Sequence, residues 1–343
     1  MTPALEGALH QTWPPFVLVL GLLLIGLVVE REGLFEAVAA RIERSGGPAV
    51  VLLAGLLLLE AAVTALLNLD TAAVFMTPVL IHAARHRGCD ARAFVYGALL
   101  MANSASLLLP GSNLTNLIVL AHEQGTGRDL AAAMLPAWLF TVAATIAIVA
   151  VWFRPSDGAP PAATLPPLRL HTGAAATAAA TVLMLALANP ALPVLAVGLI
   201  AVAVERLRPR VPLAVPALLF AIAVALGTLA REWSGPADLL ARLGPAGTAV
   251  AGALGAVAVN NLPAASLLSA RPPGHPLSLL LGLDIGPNLA VTGSLSSYLW
   301  YQACRSAGER PSLARVSLIG GVLVPVTLVG SLAALWATGA PGL

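Results

Sequence analysis

Apolar stretches of span length alternate along this chain with short polar loops. A helix crosses the hydrocarbon core with about 20 mainly apolar residues, within a range near 17 to 25. On that measure the pattern predicts spans at about 14–30, 134–153, 171–188, 191–204, 212–230 and 315–337. Residues 92–122 and 277–303 read as spans broken in the middle by Gly, Pro and Asn. Two more apolar stretches, 48–84 and 244–270, are each interrupted by an Asn-rich tip, and their later arms, 72–84 and 263–270, are short for full crossings. Both are expected to be re-entrant helical hairpins that enter and leave on one side. Residues 34–45 (LFEAVAARIERS) alternate apolar and charged side chains at helical spacing, as an interfacial helix does. The Pro-rich, polar stretch 154–170 reads as a linker.

Composition and charge turn this pattern into a topology. The chain is 58% hydrophobic and 10% charged, with a mean hydropathy of +0.89. Soluble domains average roughly 25% charged residues, so this is a polytopic membrane protein. All 18 Lys+Arg positions are arginine. With loop 30–48 placed in the cytoplasm and both interrupted stretches treated as hairpins, only Arg128, Arg231, Arg242 and Arg271 fall outside. The other fourteen, Arg169 and Arg210 among them, fall inside, as the positive-inside rule asks. Counting each hairpin as two spans would set loop 82–93 opposite loop 30–48 and split the basic residues.

The expected fold is therefore an all-α polytopic membrane protein of two inverted repeats, each with a re-entrant hairpin and a broken transmembrane helix. The first repeat is 1–153, with hairpin 48–84 and broken helix 92–122; a cytoplasmic linker, 154–170, follows. The second repeat is 171–343, with hairpin 244–270 and broken helix 277–303. Residues 1–13 lack a basic segment and the first apolar run ends at Glu30-Arg31-Glu32, so no cleavable signal peptide is expected.

The intramembrane polarity gathers at the two tips and two breaks. Hydrocarbon offers no water to freed backbone groups, so such breaks persist only when buried in protein or lining a wet cavity. Matching interruptions in two halves point to a secondary transporter's binding site. The candidate substrate-binding residues are Asn68, Thr71, Asn103, Ser104, Ser106, Ser112, Asn113, Asn116, Asn260, Asn261, Asn288, Thr292 and Ser294. Each Asn offers an amide with four hydrogen-bonding positions, and interhelical bonding is the plain alternative. Asp70 and Asp284, one per half, are the candidate ion- or proton-coupling carboxyls, with capping of a half-helix as the alternative. Glu60 is a third carboxyl in an apolar run and a candidate relay. Gly111, Gly286 and Gly293 permit close backbone approach, and Pro110 and Pro287 break the helical ladder. His82, His86 and His122 read as solvated. Trp138, Trp152, Trp300 and Trp336 read as an aromatic belt. Cys89 and Cys304 have no metal-ligand spacing, so neither a disulfide framework nor a metal site is expected. HExxH, GxSxG and GxxxxGK[ST] do not occur, so neither an enzyme nor a nucleotide-driven pump is expected.

The stretches LLNLDTAAVFMTPVL and MANSASLLLPGSNLTNLIV, with VNNLPAASLL and GLDIGPNLAVTGSLSSYLW later, resemble the arsenite efflux permease family of the ion transporter superfamily. That superfamily also holds dicarboxylate and citrate transporters and sodium/proton antiporters. In the family pattern Asp70 matches an Asp at the first tip and Asp284 an Asp before the second break. Asn113, Asn116, Asn260 and Asn261 match family Asn positions. The resemblance implies proton-coupled export of arsenite or antimonite across the inner membrane by a multi-pass carrier. The alternative is sodium- or proton-coupled transport of another small anion or cation, such as a dicarboxylate, citrate or Na+. No cofactor is implied beyond the coupling ion, H+ or else Na+. The implied partners are the lipid bilayer, a small inorganic or anionic substrate, a second copy in a homodimer and a soluble ATPase as in that family, with no nucleic acid.

Overall fold

A computed structural model describes residues 2–44, 46–123, 125–158, 171–209 and 214–340. Arg169, Arg210 and most of the expected linker lie outside the described residues. Among the described residues every regular element is helical. The first helix, α1 (Pro3–Arg31), begins well before the expected span. Its early turns carry Gln11 and Thr12, which precede the expected span and are buried. Gln11 Nε2 donates to the carbonyls of Ile118 and Ser269 at 2.8 and 2.9 Å, and the Thr12 hydroxyl donates back to Ala8. The amphipathic α2 (Leu34–Arg44) buries Phe35, Ala37 and Ala39, with Phe35 stacked on Phe75.

The first hairpin consists of α3 (Ala49–Leu66) and α4 (Leu69–His86) around Asn68. Each arm has 18 residues, about 27 Å at 1.5 Å per residue. The second arm is longer than expected because helix continues past the counted apolar run at both ends, through Asp70-Thr71 and Arg85-His86. The first broken helix is α5 (Arg92–Ser104) and α6 (Leu114–Val119), and α7 (Gly127–Phe153) follows. Then come α8 (Thr172–Ala186), α9 (Ala191–Val204), α10 (Ala214–Glu232) and the short α11 (Gly235–Ala241). The second hairpin is α12 (Pro245–Val259) and α13 (Asn261–Leu268) around Asn260. The second broken helix is α14 (Pro276–Ile285) and α15 (Leu295–Ser306), and α16 (Leu313–Ala337) ends the fold. Helices α1, α3, α7, α10 and α16 are long and apolar enough to cross a membrane.

Side-chain bonds define the two faces that α7, 27 residues long, connects. On one face Arg87 donates to the carbonyls of Glu43 and Gly47 at 2.9 and 2.6 Å. Asp157 accepts from Ala49 N–H at 2.6 Å, and Arg85 pairs with Glu309 at 2.6 Å. Residues 46–48 and 87–91 therefore lie together, and the first hairpin opens there. On the other face His122 bonds the Ser269 carbonyl, Arg231 donates to Gln11 at 2.6 Å and Arg271 reaches the Arg231 carbonyl. The second hairpin opens on that side. His86, read as solvated, bonds the buried Glu43 carboxylate. Two of the four belt tryptophans are instead internal: Trp300 is fully buried and donates to Val95, and Trp138 donates to Ala105 in the first break. The Trp138 indole N–H meets a carbonyl just past the end of α5, where the broken helix leaves it free.

Candidate functional site

Each tip and each break places the start of a helix toward the middle of the molecule. At the tips, Asn68 Oδ1 accepts from Asp70 N–H at 2.7 Å and Asn260 Oδ1 from Leu262 N–H at 3.4 Å. Asn is a preferred residue before a helix because its side chain satisfies one of the orphan N–H groups. The other end of each amide reaches the break of its own half. Asn68 Nδ2 donates to the Gly111 carbonyl at 3.3 Å and Asn260 Nδ2 to the Thr292 carbonyl at 3.2 Å. Asn260 holds φ +76°, a left-handed backbone angle that L residues other than Asn and Gly seldom adopt. Past the first break, Asn113 Oδ1 caps α6 through Thr115 N–H at 3.3 Å. Ser294 occupies the same position before α15.

These four starts surround one cavity of about 370 Å³. Its polar lining is Asp70, Asn113, Asn260, Asn261 and Ser294, each at or next to the start of α4, α6, α13 or α15. The facing wall is apolar and comes from α1 and α10, including Phe16, Leu20, Leu23, Leu219 and Phe220. Phe16 and Phe220 meet edge to face at 5.1 Å between ring centres. No arginine, histidine or lysine lines the cavity among the described residues. Helix N-termini carry partial positive charge and unpaired N–H groups, so the walls favour oxygen atoms of a ligand without a basic side chain. A second, wider cavity of about 750 Å³ lies at the His122 face, where His10, Glu123 and Asp129 line it and Pro110 and Leu117 reach it from the first broken helix.

The remaining candidates hold the breaks in shape and do not line the cavity. Asn103 Nδ2 donates to Asn288 Oδ1 at 3.0 Å, and Asn288 Nδ2 donates to Ser104 Oγ at 3.1 Å. Asn116 Nδ2 donates to the carbonyls of Ser106 and Leu109, at 2.8 and 2.9 Å, which α5 no longer uses. Ser112 Oγ accepts from Leu109 N–H and donates to the Ala65 carbonyl, tying the break to the hairpin. Ser106 donates to the Asn103 carbonyl, and Thr292 donates to the Val257 carbonyl. The Thr71 hydroxyl is buried with no hydrogen-bond partner.

The carboxyls divide three ways. Asp70 opens into the cavity, and the capping role considered for it belongs to Asn68. Asp284 sits in the last turn of α14, so it caps no helix start. It is fully buried and accepts at Oδ1 from Asn113 Nδ2 at 2.8 Å and Thr115 Oγ1 at 2.5 Å. Glu60 is fully buried in α3 and neither of its oxygens has a partner. Sequence reasoning passed over Thr115, Ser296 and the apolar wall. The first two stand two residues after a helix-capping position, a spacing that could have singled them out. The wall carries no polar signal at all.

Residues 2–282 match the family model described as citrate transporter. The chain belongs to the citrate transporter family. It is similar over 147 residues, at 35% identity, to the arsenical pump membrane protein of Escherichia coli K12, and over 146 residues, at 33%, to that of Yersinia enterocolitica. Each match covers 41% of this chain and 34% of the relative, so the chain spans about a third of the length of the curated relatives it matches. With its apolar spanning helices, it is a multi-pass inner-membrane protein of this family.

Proposed function

We propose that the protein is a secondary active transporter, built as two inverted repeats, that exports arsenite or antimonite in exchange for protons. The observation that carries this reading is the single cavity where four helix starts converge with Asn and Ser side chains and no basic residue. A neutral trihydroxide offers hydroxyls that both donate and accept, which Asn and Ser side chains and helix N–H groups can match. Burying an unpaired anion without a cation is costly, and an arginine clamp is the usual remedy. The names of the relatives, arsenical pump membrane proteins, point the same way. Asp70 faces the substrate space, and Asp284 is one hydrogen bond behind it through Asn113. Those two carboxyls are the coupling groups in this reading. The wider cavity at the arginine-poor face is the release route.

A second reading is sodium- or proton-coupled transport of citrate or a dicarboxylate, favoured by the description of the family model. Here helix dipoles would have to carry the whole anion charge. Proteoliposomes holding the purified protein decide between them. Arsenite and antimonite should move with an imposed pH gradient, while citrate should not move with either a proton or a sodium gradient. Citrate uptake without arsenite flux would overturn the first reading.

A further inference from the structure

A pair of buried bonds crosses between the halves, and its two ends differ in one functional group. Asp284 stands ten residues before Ser294, the residue that precedes α15. Asn103 stands ten residues before Asn113, the residue that precedes α6. The hydrogen bonds respect that correspondence and exchange partners. Asn113 and Thr115 donate to Asp284 Oδ1, at 2.8 and 2.5 Å. Ser294 and Ser296, at the matching positions, donate to Asn103 Oδ1, at 3.2 and 3.1 Å. Each acceptor oxygen thus receives two side-chain donors from the opposite half. The second atom of each group differs. Asn103 Nδ2 donates to Asn288, whereas Asp284 Oδ2 is buried with no partner.

A carboxamide has the shape of a carboxylic acid and carries fixed hydrogens where the acid would carry its removable one. Asn103 therefore has the form of a permanently protonated carboxyl. We propose that Asp284 carries a coupling proton on Oδ2, that Asn103 is its proton-silent counterpart, and that this pair of sites moves one proton per transport cycle. The geometry disfavours a metal cation at Oδ1, because Asn113 Nδ2 and Thr115 Oγ1 already present hydrogens there where a hard cation requires lone pairs. A proton needs only the free Oδ2. Binding forms one O–H bond and cancels the carboxylate charge, and release to the other side regenerates it, with nothing else consumed.

No other charge competes at this point. Helix α14 packs against α5, α6, α12, α13, α16 and the 286–289 turn. Of these, only α5 and α16 hold titratable groups, namely Arg92, Tyr96 and Arg315 at their loop-side starts. Arg92 is paired with Asp90, and Tyr96 accepts from Ser312 N–H with Arg315 over its ring. Asp70 lies across the cavity lining, beyond Asn113. The transport cycle in the proposal rests on the export reading above, but proton binding at Asp284 can be read without any substrate.

The full chain in proteoliposomes is treated with dicyclohexylcarbodiimide, which attacks protonated carboxyls, across a pH series, and labelled peptides are identified by mass spectrometry. Arsenite flux is measured in parallel. Asp284 should be labelled with a sigmoidal pH dependence. Asp284→Asn should lose both that label and pH-driven flux. In the exchanged variant, Asn103→Asp with Asp284→Asn, the label should move to position 103 and pH-driven flux should return. Adding Ser296→Ala should shift the labelling curve at position 103, while in the wild-type background it leaves the Asp284 curve in place. An exchanged variant that elutes as monodisperse protein but stays unlabelled at position 103 overturns the proposal. Should that variant not fold, Asn103→Asp alone gives the answer: labelling at both positions supports the equivalence, and labelling at Asp284 only overturns it. Labelling as expected in a protein that moves no arsenite would sustain the proton site and defeat the export reading.

Discussion

Asn68 and Gly111 are joined by a 3.3 Å hydrogen bond from a side-chain amide to a backbone carbonyl, across 43 residues of chain. The same amide caps α4, so one side chain fixes both the hairpin tip and the break beside it. Losing an N-cap costs about 0.5–2 kcal/mol, and orphaning a buried carbonyl a further ~1–3 kcal/mol. Gly111 is buried while Thr292, the corresponding acceptor for Asn260, is exposed. Asn68→Ala should therefore lower the thermal unfolding midpoint in detergent more than Asn260→Ala does. Equal shifts would mean the two tips bear equal strain.

The first hairpin opens on the same face as residues 46–48, where Arg87 bonds the Glu43 and Gly47 carbonyls. Arg87 is itself buried, so the exposed Arg85 serves as the reporter. Cysteines replacing Arg41 and Arg85 should react with an impermeant maleimide from one side of the membrane, and one replacing Glu123 from the other. Opposite labelling of the first two would remove the inverted topology.

Much of this layout was legible because hydrocarbon tolerates so few exceptions. An Asn or a Gly-Pro pair inside an apolar run has to be accommodated by protein, so both tips and both breaks stood out. The arginines set the expected sidedness of the hairpin openings for a related reason, the asymmetric cost of leaving basic loops on either side. Helix length was less legible. Gln11 and Thr12 fall before the apolar run that set the expected span, yet inside the bundle they find carbonyls to bond, and α1 runs through them. The role of each Asn was not legible either, since capping, bracing and cavity lining all require the same amide. Asn116 braces, Asn113 lines, and only three-dimensional proximity separates them.

Glu60 offers a separation of stability from activity. A buried carboxyl without a partner costs about 1–3 kcal/mol relative to an apolar group of similar size. Glu60→Leu should raise the unfolding temperature, and as a relay residue Glu60 should be required for pH-driven arsenite export. A variant that is more stable and fully active would exclude the relay role and leave Glu60 as structural cost alone.

Asp70 faces the cavity directly, in contrast to Asp284. Asp70→Asn keeps the volume and removes the charge cycle. Export driven by a pH gradient should be lost, with exchange of labelled for unlabelled arsenite retained. Retention of both activities would assign Asp70 to shaping the cavity only.

Helices α1 and α9 cross closely because both are glycine at the contact. A Cβ on Gly21 would stand 2.7 Å from Leu195 Cα, and one on Gly198 would stand 2.5 Å from the Gly21 carbonyl. Small residues permit such approach in membranes. Gly198→Leu should destabilise the protein by about 1–3 kcal/mol, seen as a lower unfolding midpoint, without changing the labelling of Asp284. Unchanged stability would show that the two helices can part.

The unequal hairpins have an energetic meaning of their own. Arms of 18 and 18 residues on one side face arms of 15 and 8 on the other. Two identical halves exchanging roles would give inward-facing and outward-facing carriers of the same free energy. In the proposed carrier that degeneracy would be broken, so its empty form would have a resting orientation. Each ~1.4 kcal/mol of difference biases it about tenfold. The proposed substrate would then overcome that bias by binding the rarer form more tightly.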